Sequence, residues 1–102
     1  MKLKLWLDDV REAPIGYVWL KSVNEAKEFI RWCACTNQSI ELLSLDHDLG
    51  EYADDGGDGY KLLDWLEEYL LCYFPIRIHS QNPVGVENMR RIIERNGWRE
   101  AR

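Results

Sequence analysis

Hydrophobic and polar positions alternate from the start of the chain. Lys2-Leu3-Lys4-Leu5-Trp6-Leu7 has the two-residue period of a half-buried strand, and the pattern stops at Asp8-Asp9. Residues 11–16 read as loop because Pro14 and Gly16 break any regular period. Tyr17-Val18-Trp19-Leu20 is aromatic and β-branched, which predicts a short strand. Ser22 and Glu25 then form a capping box, and Val23, Ala26, Phe29, Ile30 and Cys33 follow at helical spacing. A helix of about three turns is expected there. Residues 40–45 read as a strand ending at Asp46-His47-Asp48.

The Gly- and Asp-rich stretch 49–59 reads as a mobile loop, with Asp58 available to cap the next helix. That helix carries Leu62, Leu63, Leu66, Tyr69 and Leu70 as its apolar stripe, and Pro75 is expected to end it. Ile76-Arg77-Ile78 is a short strand running into His79-Ser80-Gln81-Asn82. Asn82-Pro83 suits a helix start, with Val86, Met89, Ile92 and Ile93 on one face and Gly97 as a left-handed C-cap.

Strands alternating with helices predict an α/β domain with a parallel sheet. In the first strand the leucines oppose Lys2, Lys4 and Trp6, whereas a sheet covered on both faces has nearly continuous apolar strands. One face is therefore expected to be well covered and the other thinly. Right-handed crossovers put the two middle helices on one face. The last helix, or a second copy of the chain in a homodimer, is expected to cover the other.

Three predicted strands end in polar clusters: Asp8-Asp9 with Arg11, Asp46-His47-Asp48, and His79-Ser80 with Asn82. Ligands of open parallel sheets bind outside the carboxyl ends of the strands. These clusters should share one pocket. Asp8, Asp9 and Asp46 offer hard oxygen ligands for a divalent cation, Mg²⁺ or Mn²⁺, and without one they would repel each other. The alternative is that they are caps and turn residues. His47 and His79 are either proton carriers at a phosphate ester or structural donors to a carboxylate. Ser80 and Asn82 either hold phosphate oxygens or cap the helix at Pro83. Arg11 either clamps a phosphate or pairs with a pocket Asp.

Composition narrows the field. The 102 residues suit one domain, spanning 1–102, and a formal net charge of −5 argues against a general nucleic-acid-coating role. The charge is uneven. Residues 41–68 hold ten acids against Lys61, which leaves −9, while 77–102 hold six Arg against three Glu, which leaves +3. A solvated acidic loop beside a basic helix explains this, and so does a carboxylate metal site facing phosphate-binding arginines. No apolar run approaches the ~20 residues of a membrane span, and no secretory leader is visible. Three Cys without framework spacing suggest a reducing setting, so a cytoplasmic protein is expected. Cys33-Ala34-Cys35 on a helix diverges and reads as core or incidental rather than zinc. The five Trp read as core rather than a base-stacking platform.

Asp8-Asp9, Asp46 and Ser80, each after a strand, resemble the receiver domain of two-component response regulators. Leu5-Trp6-Leu7-Asp8-Asp9-Val10-Arg11, Ser44-Leu45-Asp46-His47-Asp48-Leu49-Gly50 and His79-Ser80-Gln81-Asn82-Pro83-Val84-Gly85, with Asn88-Met89, are similar to the signature of the cyclic-phosphate-processing receiver-like family. The resemblance implies a receiver or flavodoxin-like fold, three-layered or a partly open two-layer sandwich. Its four-stranded parallel sheet would have the order 2-1-3-4 and stop before a fifth strand. That truncation leaves the receiver's Lys without a counterpart, and the loop at 11–16 replaces its first helix.

The resulting expectation is a metal-dependent phosphoesterase acting on cyclic phosphates, such as RNA 2′,3′-cyclic ends or cyclic nucleotides. Asp8, Asp9 and Asp46 would hold the metal. His47 and His79 would act as base and acid, with Asp46 as nucleophile in a variant. Arg11, Ser80, Asn82 and Asp48 would bind the phosphate. The alternative is a signalling or sensing module that binds a phosphate ligand without turnover.

Overall fold

The computed structural model describes residues 2–102. Its elements are β1 (Lys2–Leu7), β2 (Tyr17–Leu20), α1 (Val23–Cys35), β3 (Ser39–Leu45), a 3-10 turn (Gly50–Asp54), α2 (Gly59–Glu68), β4 (Ile76–Ile78) and α3 (Pro83–Arg95). The four strands form one parallel sheet in the order β2-β1-β3-β4, as the sequence resemblance implies. No helix among the described residues is long and apolar enough to cross a membrane.

Strand register sorts the side chains. Leu5 pairs with Leu43 and Leu7 with Leu45, and all four are fully buried against the helices. Burying each such leucine is worth roughly 1.5–3 kcal/mol. Trp6 pairs with Ser44 on the opposite face. Leu42, beside Lys4, is also buried but lies outside the main core. A bulge at Glu41 keeps the two faces in phase across β1 and β3.

The expectation that α3 crosses to the thinly covered face is overturned. Met89, Ile92 and Ile93 of α3 join the same core as the residues of α1 and α2. The cause lies at the end of the chain. The Ile76 N–H donates to the Arg99 carbonyl (2.9 Å) and the Ala101 N–H to the Ile76 carbonyl (2.8 Å), which makes a parallel bridge between Ile76 and Glu100. The fifth position, expected to be empty, therefore holds a short pairing segment. β4, α3 and that segment make a right-handed crossover, which places α3 on the face already used by α1 and α2. A fork of hydrogen bonds from Arg90 to Glu100 (2.9 and 2.7 Å) fastens the segment to α3. The fold is the two-layer form, with one sheet face bare of helices.

Two further expectations change. α2 stops at Glu68 rather than near Pro75, and Tyr69 and Leu70 are 57% and 89% exposed rather than part of its buried stripe. Leu70 takes a left-handed φ of +55°, and the amides of Leu70 and Leu71 donate to the carbonyls of Glu67 and Leu66. That is a Schellman ending with leucine in the usual glycine place. The 49–59 stretch, expected as a loop, contains a regular turn and is tied to α1. Its 3-10 turn is followed by Asp55, whose carboxylate accepts from the Ser22 hydroxyl (2.7 Å) and the Asn24 amide (3.1 Å) at the start of α1.

Candidate active site

The central strands β1 and β3 end side by side, and β4 ends next to β3. Their last residues bring together Asp8, Asp9, Asp46, His47, Asp48, His79 and the start of α3. One oxygen each from Asp8, Asp9 and Asp46 lies within 4.8 Å of the others. A second group, His47, Asp48 and Asp58, meets the same spacing. Asp58 sits at the N-cap position of α2, but its carboxylate accepts from the Leu49 N–H (3.2 Å) instead of capping the helix.

Asp8 is 1% exposed. Its Oδ1 accepts from the Val10 and Arg11 amides (3.0 and 2.9 Å), and its Oδ2 lies 3.0 Å from Nε2 of His79. Nδ1 of His79 lies 2.7 Å from Oγ of Ser44, a fully buried serine. A carboxylate only accepts, so the imidazole proton sits on Nε2 and Nδ1 accepts from the Ser44 hydroxyl. Burial pushes the His79 imidazole below its ordinary pKa, against the pull of Asp8. Its ring also stacks on Trp6, with centroids 3.8 Å apart. Ser44 was missed in the sequence, although a lone hydroxyl among Leu42, Leu43 and Leu45 was the available signal.

The Asp9 carboxyl is held above its ordinary pKa. Burial raises its pKa first, a backbone hydrogen bond works the other way, and the charges of Asp8, Asp46 and Asp48 raise it further. Gly50 lies against it: with φ at +54°, a Cβ there would come 2.5 Å from Oδ2 of Asp9. Asp46 Oδ1 accepts from the His47 N–H (2.7 Å), which fixes the turn out of β3.

His47 is 9% exposed. Nδ1 donates to Oδ1 of Asp48 (2.8 Å), while Nε2 is buried without a partner. The hydrogen bond from His47 holds the Asp48 carboxyl below the ordinary range, helped by Asn82. The ring lies between Tyr60 of α2 (centroids 5.6 Å apart) and Gly85 of α3. Gly85 and Gly59 are both close approaches: a Cβ on either would collide with the 46–47 turn.

The remaining expected residues ring this group. Asn82 caps α3 by accepting from the Gly85 N–H (3.1 Å) and donates to Asp48 (3.2 Å). Ser80 Oγ accepts from the Asn82 N–H (3.2 Å). Arg11 donates to the His79 carbonyl (3.2 Å) and remains exposed. A surface depression lined by Cys72–Pro75 and Arg99 lies at the start of β4, the end of the sheet away from these carboxylates.

Sheet order and acidic residues at the central strand ends are those of a receiver-type α/β domain, here with helices on one face only. A family model described as the cyclic-phosphate processing receiver domain matches residues 3–95, and the chain belongs to that family. Comparison with curated proteins and with solved structures gives no significant match.

Proposed function

We propose that the chain is a metal-dependent phosphoesterase that opens cyclic phosphates at the Asp8–Asp9–Asp46 cluster. The observation that supports this most is the crowding of three carboxylates, Asp8 buried and Asp9 and Asp46 half-buried, with no Lys or Arg paired to them among the described residues. An all-oxygen donor set of this kind fits Mg²⁺ or Mn²⁺. Such an ion, when bound, supplies Lewis acidity to a phosphate oxygen.

The two histidines take different parts. His79 has both nitrogens occupied and is a positioning residue that fixes the orientation of Asp8. His47 has its Nδ1 proton directed at Asp48, which leaves the Nε2 lone pair as a proton acceptor. A buried polar atom without a partner costs about 1–3 kcal/mol, and a water or ester oxygen reaching it removes that cost. His47 therefore takes a proton from the attacking water and returns it to the leaving ribose oxygen. Arg11 and Asn82 orient the phosphate at the rim, where the amides of the first turn of α3 favour an anion. A cytoplasmic setting belongs to the same reading, since Cys33, Cys35 and Cys72 are free thiols.

The test is turnover of 2′,3′-cyclic nucleotides with Mg²⁺ or Mn²⁺, alongside calorimetry of the metal. Asp46→Asn should abolish metal binding and turnover, and His47→Gln should cut turnover at least 100-fold while metal binding persists. Metal-dependent ligand binding without turnover makes the chain a sensing module. Absence of metal binding in the wild type sinks both readings.

A further inference from the structure

Trp6 reads in the sequence as a core residue, yet it stands on the sheet face that carries no helix and is not part of the main core. It is half-buried there, and the site itself packs it. The His79 ring stacks on the indole with centroids 3.8 Å apart and planes 8° from parallel. Tyr17 of β2 meets the indole edge-on, with centroids 5.7 Å apart and 79° between the planes. Arg77 of β4 in turn donates to the Tyr17 hydroxyl (3.2 Å). The ring is thus fixed from both sides of β1.

Its polar atom is committed as well. An indole has one donor and no acceptor, and here Nε1 donates to the Arg11 carbonyl (2.9 Å). Arg11 is therefore held at three points. Its N–H donates to Oδ1 of Asp8 (2.9 Å), its carbonyl accepts from Trp6, and its guanidinium donates to the His79 carbonyl (3.2 Å). The last contact uses Nη1 alone, which leaves Nε and Nη2 to meet an anion. Two members of the site thus lean on one side chain through different atoms. His79, whose Nε2 holds Asp8, rests on the ring, and Arg11 hangs from the N–H.

We infer that Trp6 is a positioning residue with two separable parts: its ring seats His79 and so aims Asp8 at a cation, and its N–H seats Arg11 at a phosphate. The inference rests on the reading proposed above for both ligands and adds the residue that sets them relative to each other. A side chain that only filled space would act through its volume, and every substitution would move both ligands together. Here the two contacts come apart on substitution. Phenylalanine keeps a ring against His79 and lacks the donor, and leucine lacks both.

The test compares the wild type with Trp6→Phe and Trp6→Leu. Calorimetry reads Mn²⁺ alone and then inorganic phosphate added to the Mn²⁺-loaded protein. Trypsin cleavage after Arg11 in EDTA gives a readout without metal. Trp6→Phe should bind Mn²⁺ within twofold of the wild type and phosphate at least fivefold more weakly. It should also be cut after Arg11 at least fivefold faster, because the carbonyl of that bond is no longer held. Trp6→Leu should in addition lose at least threefold in Mn²⁺ affinity. Should Trp6→Leu fold poorly, Trp6→Phe alone decides. Phosphate affinity and cleavage rate at wild-type values in Trp6→Phe, or equal losses of Mn²⁺ and phosphate, overturn the inference. The expected pattern without turnover of 2′,3′-cyclic nucleotides upholds it and removes the phosphoesterase reading alone. A wild type that binds neither Mn²⁺ nor phosphate removes both.

Discussion

Nε2 of His79 lies 3.0 Å from Oδ2 of Asp8, and the two side chains are 10% and 1% exposed. The contact joins the end of β4 to the end of β1 across β3, with Ser44 of β3 holding the other ring nitrogen. On the proposed reading it aims a carboxylate rather than adding to the reacting groups. His79→Ala is expected to lower Mn²⁺ affinity about 10–100-fold. Ser44→Ala, which leaves Nδ1 without its donor, should lower it less and cost about 1–3 kcal/mol of stability. Calorimetry with unfolding curves separates the two effects, and unchanged metal affinity in His79→Ala removes the positioning role.

Asp9 carries a cost in the metal-free protein. Its folded pKa is raised, chiefly by burial, so the folded state binds the proton more readily than the unfolded chain does. That contribution to stability is full below the unfolded value of 3.8 and is lost as pH rises through the folded pKa. Asp9→Asn should therefore raise the melting temperature at pH 7 in EDTA by a few degrees. Added Mn²⁺ should stabilise the wild type and leave the variant unmoved. A variant that melts below the wild type in EDTA contradicts the crowding.

Two glycines beside the site, and Gly97 past the end of α3, should rank by what a methyl group meets. At Gly59 it meets the backbone carbonyl of Asp46, which has no room to yield, and at Gly85 it meets the His47 ring. At Gly97 nothing lies within 4 Å, and only the φ of +68° is unfavourable. Gly59→Ala is expected to cost the most, roughly 3 kcal/mol, Gly85→Ala about 1–3, and Gly97→Ala about 1. Gly85→Ala should also cut turnover, because His47 must move. Urea unfolding of the three variants tests the order.

A pH effect far from the site serves as a control. Arg95, and then Asn96, hold the Glu67 carboxyl down to about 2. Its folded pKa is depressed, so its contribution is present above 4.5 and is lost as pH falls from 4.5 towards 2. Glu67→Gln should flatten the fall in melting temperature across that window and leave metal binding at neutral pH unaltered. An identical acid profile in wild type and variant would show that the pair contributes nothing.

Period and caps made most of the fold legible. The leucines of β1, the Ser22 cap, the Asn82-Pro83 start and the Gly97 ending are local signals, and the structure keeps each of them. The end of α2 was hidden because leucine rarely adopts the left-handed conformation that Leu70 takes. The side taken by α3 was hidden because it depends on Ile76 pairing with residues 99–101, a contact across more than twenty positions. The convergence of Asp8, Asp46 and His79 followed from parallel topology alone. The hydrogen bonding of the two histidines did not, because the partners that occupy both nitrogens of His79, Ser44 and Asp8, come from other strands.

One-sided layering gives β1 a parity. Leu3, Leu5 and Leu7 face the helices, while Lys2, Lys4, Trp6 and then Asp8 face the other way. Substitutions along this one strand should sort by odd and even number. Odd positions answer to the solubility and yield of the folded chain, and even positions are free to track a ligand. A saturation library of residues 2–8, selected separately for folding and for binding, would print the two faces of the sheet as alternating columns.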